Sequence, residues 1–324
     1  MNTGKRPMNH HQGAHPTVLS VNISREKGTC KRPVQNIELT ERGIVSDAHA
    51  GQWHRQVSLL SKEIIDTFAH DVGRNFAPGE FAENITTLGL DLSELCLFDE
   101  LTIGESLLEV TQIGKSCHPD GCTVAKQVGK CVMPREGIFC RVKLGGTIAP
   151  GDAIHLHPRN LLFRVLTLSD RASQGDYEDR SGPRISAILN DFFGPRRWRQ
   201  EVVNYLLPDD PKRLRALLQQ AREDGVDVVI TTGGTGVGPR DITPDVVVPL
   251  CDKLLPGIMD YIRLKFGAAK PTALLSRSVA GIMGSTIVYS LPGSVHAVEE
   301  YLGEILKTLE HLILTVHGID PHAY

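Results

Sequence analysis

VDVVITTGGTGVGPRDITPD, residues 226–245, decides the fold of the second half of this chain. It opens on a Val, Ile and Thr run suited to one buried strand. It then sets four glycines within six residues, 233–238, and closes on Asp241 and Asp245, each beside a proline or its turn. A short apolar run emptying into glycines predicts a fully buried strand that ends in a loop. Glycines there let backbone N–H groups turn inward toward an anion, and the next helix adds the positive end of its dipole. The lysine of the GxxxxGK[ST] nucleotide loop is missing, as is the acidic residue that follows GxGxxG about 20 positions on. Phosphate cradle and tight structural turn both remain open readings of this loop.

Working outward, strands alternate with amphipathic helices from about residue 160. "FRVLTLS" is a continuous apolar strand, and "SGPRISAILNDFF" follows with Ser181 as a cap and Ile185, Ile188, Leu189 and Phe192 at helical spacing. "EVVNYLLP" is the next strand, "PKRLRALLQQARED" the next helix, and "STIVYSLPGS" leads into a long helix carrying Val295, Val298, Leu302, Ile305, Leu306 and Leu309. This alternation predicts an α/β domain of three layers, a mostly parallel sheet with helices on both faces. Ligands in such sheets bind at the carboxyl ends of the strands, so the loops of interest open onto one edge.

The acids at that edge separate by local role. Pro211 suits the first helical position and makes Asp210 the N-cap. Pro244 does the same for the next helix, so Thr243 is expected to cap it and Asp245 to complement its dipole from the first turn. Asp209 and Asp241 have no such assignment. Two carboxylates beside a phosphate loop suit a hydrated Mg²⁺, which takes one or two carboxylates plus substrate phosphates; solvated surface aspartates are the alternative. Ser169, Asp170, Arg171 and Ser173 fall on the same edge, as do Ser276 and Arg277, and Pro292, Gly293 and Ser294, with Ser294 placed to cap the last helix.

The chain has 324 residues, long for one compact core, so two domains are expected. Lys+Arg 35 against Asp+Glu 38 leaves a net charge of -3, which gives no electrostatic case for nucleic acid or an anionic membrane. No apolar run nears the about 20 residues needed to span a bilayer. Residues 1–16 are polar, include His10, His11 and His15, and read as a flexible tail without the apolar core of a signal peptide. Seven cysteines, an odd count, argue against a disulfide framework and for a reducing, cytoplasmic setting.

Residues 17–158 are rich in Val, Ile, Leu and Thr, punctuated by Gly, Pro and Asp, and predict an all-β barrel or sandwich with one helix at "SKEIIDTFAHD". Cys117, Cys122, Cys131 and Cys140 have four, eight and eight residues between them, unlike the paired CxxC of a structural zinc site. Cys140, mid-strand in "GIFCRV", reads as buried and inert. Cys117, in a loop with Lys115 and His118, reads as a reactive or ligating thiol, or as an ordinary one.

In order along the second half, "SDRAS", "LLPDD", "TTGGTGVGPRDITPD", "LLSRS" and "SLPGS" resemble the molybdopterin adenylyltransferase family, which includes the amino-terminal domain of gephyrin; the likeness covers about residues 162–315. The resemblance implies an α/β domain, usually trimeric, that joins AMP from ATP to molybdopterin with Mg²⁺ and releases pyrophosphate. It places the family's functional acids on Asp209 and Asp241, as catalytic groups and Mg²⁺ ligands. Its phosphate loop falls on Thr232, Gly233, Gly234, Thr235 and Gly236, and its pterin side on Ser169 and Asp170. Asp245, Ser276, Pro292 and Gly293 complete the set expected to meet substrate or cofactor.

In the first half, "GIVSDAHAG", "RQVSLL", "EVTQIGKSC" and "GIFCRVKLGGTIAPGD" resemble the MOSC domain, the carboxy-terminal module of molybdenum cofactor sulfurases. This implies a β-barrel that binds the pterin cofactor, with Cys117 touching molybdenum (or tungsten) or carrying sulfur. Ser46 stands where that family commonly has glycine. The sulfurase's cysteine desulfurase part has no counterpart in these residues, so sulfur from cysteine would have to arrive from elsewhere.

The expectation is therefore a fusion for molybdenum cofactor assembly: a MOSC-like domain at 17–158 and an adenylyltransferase-like domain at 161–324. Its partners would be molybdopterin, ATP, further copies of itself and other cofactor-assembly proteins. A non-catalytic molybdopterin carrier, or another nucleotide-processing enzyme on the same scaffold, are the competing readings.

Overall fold

The computed structural model describes residues 15–115 and 131–320. The chain divides into two compact units, Met1–Arg159 and Asn160–Tyr324. Cys117, Cys122 and His118 lie outside the described residues, as do residues 1–14 of the expected tail.

The first unit contains β1 (Thr17–Ile23), β2 (Arg32–Val34), β3 (Ile37–Thr40), β4 (Gly43–Ile44), β5 (Val57–Ser61), α1 (Lys62–Val72) and β6 (Ile85–Leu88). It continues with β7 (Glu100–Ile103), β8 (Ser106–Ile113), α2 (Met133–Glu136), β9 (Ile138–Leu144), β10 (Gly146–Ile148) and β11 (Ile154–His157). Eight strands form one sheet in the order β11-β7-β8-β9-β5-β6-β1-β2, and three form a second in the order β10-β3-β4. Among the described residues the expected all-β barrel is not seen as a closed ring of ladders. The large sheet is mixed, because α1 carries β5 over to β6 as a parallel neighbour, and it ends on the strands β11 and β2. β1 meets the segment leading into β11 at an isolated bridge, Thr17 to Ala153, without a continuous ladder among the described residues. Backbone hydrogen bonds flank the bridge, from Val18 N–H to Asp152 O at 2.9 Å and from Ile154 N–H to Pro16 O at 2.8 Å. Val21, Ile44, Leu59, Ile85, Val110 and Ile138 meet in its core. Cys140 is fully buried there, and burial, with the Glu109 carboxylate nearby, holds its thiol far above the ordinary range, in keeping with an inert core residue.

A polar network lies inside this unit. Lys31 Nζ and Asp47 Oδ2 are 2.5 Å apart with both side chains buried. Asp47 also accepts from the backbone N–H groups of Ser24 and His49, at 3.1 and 3.0 Å, and from Asn84 Nδ2 at 3.1 Å. Ser46, beside it, has φ of 67°, the left-handed region. A glycine adopts that region freely, whereas a serine bears about 1–3 kcal/mol of strain, so the family's glycine at this turn has a conformational reason.

The second unit contains β12 (Leu161–Leu168), α3 (Asp170–Ser173), α4 (Ser181–Phe193), β13 (Gln200–Leu207), α5 (Pro211–Glu223) and β14 (Val228–Thr232). Then come α6 (Thr243–Val247), β15 (Lys253–Leu254), α7 (Pro256–Gly267), β16 (Ala280–Met283), β17 (Thr286–Leu291) and α8 (Val295–Val316). The sheet order is β13-β12-β14-β17-β16-β15. β13, β12, β14 and β17 run parallel, while β16 is antiparallel to both its neighbours. Alternate residues of β12 explain the layers. Phe163 packs its ring on Phe193 of α4 at 5.3 Å between centroids, while Leu166 and Leu168 face Leu214 and Leu218 of α5. β14 lies between both layers, and all five of its residues are buried.

Two helix starts agree with the capping rules. Asp210 accepts from the N–H groups of Lys212 and Arg213, and Ser294 from that of Ala297. From there α8 buries Val298, Leu302, Ile305 and Leu309; emptying one site, as in Leu302→Ala, would cost about 2–5 kcal/mol. Two expected caps are corrected. α6 begins at Thr243 itself, whose hydroxyl donates to Gly233 O at 2.8 Å and so ties the helix to the glycine turn. Ser181 is already helical and donates to Gly293 O at 2.7 Å, while the Asp179 carboxylate accepts from the Ser181 and Gly182 N–H groups. Among the described residues no helix is long and apolar enough to cross a membrane.

Candidate functional site

The four parallel strands all end on one edge, and each ends in a segment the sequence singled out: Pro208–Asp210 after β13, Ser169–Asp170 after β12, Gly233–Gly236 after β14, and Pro292–Ser294 after β17. The glycine turn is shaped by contact. Gly233 has φ of 101°, and a Cβ there would lie 2.3 Å from Leu168 O, so no other residue fits. Its N–H donates to Leu291 O at 3.0 Å, and Thr232 Oγ1 donates to Pro292 O at 2.9 Å, which sews the turn to the end of β17. The next three N–H groups, of Gly234, Thr235 and Gly236, have no acceptor among the described residues. Thr235 is nonetheless buried. Consecutive unmet donors of this kind make an anion-binding concavity.

Asp209 and Asp170 lock the ends of β13 and β12 together through their main chains and carboxylates. Asp170 also pairs with Arg240 from the loop after β14. Asp209 and Asp241 are both half-buried. Burial, and then the Asp241 charge, raise the Asp209 carboxyl above its ordinary range, which puts the two acids within each other's field. Asp241 is held within its own loop, its carboxylate accepting from Gly238 N–H at 2.8 Å. Among the described residues no three His, Cys, Asp or Glu side chains cluster as a complete metal cage. Two like-charged carboxylates beside unmet N–H donors are instead the donor set of an ion shared with substrate phosphates, so Mg²⁺ fits Asp209 and Asp241.

Beside the acids, a cleft of about 350 Å³ takes in Thr167, Ser169, Tyr177, Arg180, Thr232 and Gly293. Asp209 and Asp241 do not line it. The expected residues therefore divide, with the serine side and Gly293 at the cleft and the acids next to it, joined through Ser169 and its neighbour Asp170. Ser169 Oγ lies 2.7 Å from Tyr177 Oη and caps α3. Asp245 is exposed and takes two bonds from Arg277, at 2.9 and 3.1 Å. The Ser276 hydroxyl reaches Ser278 Oγ at 2.8 Å and none of the other expected site residues.

Sequence reasoning passed over four residues. Arg277 and Arg240 were seen only as parts of loops, and nothing in their spacing shows which main-chain atoms a long side chain will reach. Tyr177 and Asp179 sat in a stretch read as a polar loop. The signal for Asp179 was its place two residues before Ser181, where a carboxylate can cap.

Residues 164–311 match the family described as "Probable molybdopterin binding domain", and residues 46–155 match the MOSC domain. Over 157 residues the chain is 36% identical to the molybdopterin adenylyltransferase of Helicobacter pylori, covering 48% of this chain and 86% of that protein. It is 34% identical over 182 residues to the molybdenum cofactor biosynthesis bifunctional protein of Chlorobaculum tepidum, covering 56% of this chain and 54% of that one. The corresponding protein of Synechococcus elongatus is 30% identical over 226 residues, 70% of this chain and 64% of that one. The chain thus belongs, through its second unit, to the molybdopterin adenylyltransferase family of molybdenum cofactor biosynthesis, and carries that module together with a MOSC domain.

Proposed function

We propose that the second unit transfers AMP from ATP to molybdopterin and releases pyrophosphate. The observation that carries this reading is the run of unmet N–H donors at Gly234, Thr235 and Gly236, set on the same strand edge as the acid pair Asp209 and Asp241. A phosphate oxygen of molybdopterin attacks the α-phosphorus of ATP. The new P–O bond forms as the bond to the β-phosphate oxygen breaks, and pyrophosphate leaves with the electron pair. The glycine-turn N–H groups hold phosphate oxygens, and the cleft at Ser169, Tyr177 and Gly293 seats the pterin so that its phosphate points at the turn. Asp209 and Asp241 are the residues that would hold Mg²⁺, which when bound offsets charge on the phosphate oxygens. Thr232 fixes the turn, and Asp245, Ser276 and Pro292 support its surroundings rather than touch the reacting atoms.

The first unit binds the maturing cofactor, or hands it or sulfur onward, through Cys117, which would meet molybdenum or tungsten. The protein acts in the cytoplasm as a homo-oligomer, a trimer on the family resemblance, alongside other cofactor-assembly proteins. Incubation with molybdopterin, ATP and Mg²⁺ tests the reading. Adenylated pterin and pyrophosphate in equal amounts support it; stoichiometric pterin binding without pyrophosphate release would favour a carrier. For the first unit, Cys117→Ser should abolish retention of metal or sulfur.

A further inference from the structure

Between Thr232 and Thr243 the chain has no regular structure, and four of its ten residues are glycine. Such a segment keeps one shape only where something pins it. Its base is pinned by Gly233 N–H to Leu291 O and by Thr243 N–H to Gly234 O, both at 3.0 Å. Its tip is pinned by the Asp241 carboxylate on Gly238 N–H. Between them, Arg240 pairs with Asp170, and the main chain of Thr235, Gly236 and Asp241 is held by one residue from a distant segment. Arg277 donates its own N–H to Thr235 O at 2.8 Å, its Nε to Gly236 O at 2.7 Å, and its Nη2 to Asp241 O. Its Nη1 lies 2.9 and 3.1 Å from the two carboxylate oxygens of Asp245.

A guanidinium has five N–H donors, and at least three of these are spent inside the protein. Arg277 is therefore poorly placed to grip a phosphate as the missing lysine would. We propose that Arg277 is a positioning residue for AMP transfer. It spans from Gly236 to Asp241, fixing where the turn's N–H groups and the Asp241 carboxylate point, and Asp245 is the counter-ion that anchors it. A lysine cannot substitute, because a point charge with three rotatable donors does not bridge two carbonyls and a carboxylate in one plane. The proposal rests on the adenylyl-transfer reading above.

The test is steady-state AMP transfer to molybdopterin by the full chain, with amide hydrogen exchange over residues 234–241 as a second readout. Arg277→Ala is expected to lower kcat about 100-fold with little change in KM for ATP, because a displacement of about 1 Å at a reacting group has that effect. It should also speed exchange across the turn. Arg277→Lys should recover only a minor part. Asp245→Asn, at an exposed position where misfolding is not a concern, should lower kcat about tenfold, and the double variant should be no worse than Arg277→Ala. Three outcomes overturn the proposal: Arg277→Ala or Asp245→Asn with wild-type kcat, full rescue by lysine, or a raised KM for ATP with kcat intact, which would mean direct contact with nucleotide. If the wild-type chain releases no pyrophosphate, the adenylyl-transfer reading fails instead. The exchange measurement then still decides whether Arg277 orders the turn.

Discussion

Asp170 and Asp209 hold each other reciprocally: the N–H of Asp170 donates to Asp209 Oδ2 at 3.3 Å, and the N–H of Asp209 donates to Asp170 Oδ1 at 2.9 Å. Their strands, β12 and β13, are parallel neighbours, so this exchange carries the sheet's register one step beyond its last ladder bond. Arg240 binds the other oxygen of Asp170 and joins the glycine-turn loop to the same pair. Asp170→Ala removes the acceptor for Asp209 N–H and the partner of Arg240 together. It should cost about 1 kcal/mol of stability and about 10–100-fold in AMP transfer, read from melting curves and steady-state rates. Unchanged turnover would show that Asp209 does not depend on Asp170 for its position.

Asp209 itself should trade stability for chemistry. Its carboxyl is raised in the folded state by burial and by Asp241, so the folded chain holds that proton more tightly than the unfolded one. The associated stability is fully present below the ordinary carboxylate range and is lost as pH rises through the folded value. At neutral pH the ionised Asp209 is thus a net cost. Asp209→Asn keeps an oxygen for Asp170 N–H, so it should raise Tm at pH 7, with the advantage fading toward pH 4, while AMP transfer falls at least about 100-fold. A lower Tm at pH 7 would contradict the assignment.

The glycine turn offers a steric test. Gly233→Ala combines a left-handed φ with a Cβ 2.3 Å from Leu168 O. It should lose about 1–3 kcal/mol, or more if the strand must shift, and take AMP transfer with it. Gly303 in α8 is the control, since a Cβ there meets nothing within 4 Å. Gly303→Ala should be neutral or stabilising by up to about 1 kcal/mol in the same melting assay.

In the first unit, Asp47 should be the acid most costly to lose. Burial alone would raise its carboxyl, but hydrogen bonds from His49 and Lys31 outweigh this and hold it well below the ordinary range. Its stabilisation is present above the unfolded carboxylate value and is lost as pH falls toward the folded one. Asp47→Ala leaves Lys31 buried without its counter-ion and should cost about 3–5 kcal/mol in denaturant unfolding at neutral pH. A loss under about 1 kcal/mol would mean that Lys31 finds another partner or sheds its proton.

What the sequence made legible follows from how far each signal reaches along the chain. Strands, helices and the caps Asp210 and Ser294 rest on neighbours within a few residues, and they appear as expected. Elimination left Asp209 and Asp241 as candidates, because Asp210 and Asp245 had local roles and these two had none, and it was the family resemblance that implied a function for them. Thr243 and Ser181 were misjudged because each hydroxyl serves a partner remote in sequence, Gly233 O and Gly293 O. Arg277 was unreadable for the same reason on a larger scale: it reaches Gly236 across 41 positions. Closure of the first unit's sheet was not legible because strand composition reports propensity, whereas closure depends on pairing between strands far apart in sequence. Among the described residues β1 and the β11 segment meet at an isolated bridge rather than a ladder.

The most direct measurement is pyrophosphate release by the wild-type chain and Asp241→Asn, supplied with molybdopterin, ATP and Mg²⁺ and followed alongside adenylated pterin. The predicted result is one pyrophosphate per adenylated pterin from the wild type, and a rate at least about 100-fold lower from the variant. Equal rates from the two proteins, or pterin bound by the wild type with no pyrophosphate released, would contradict the account.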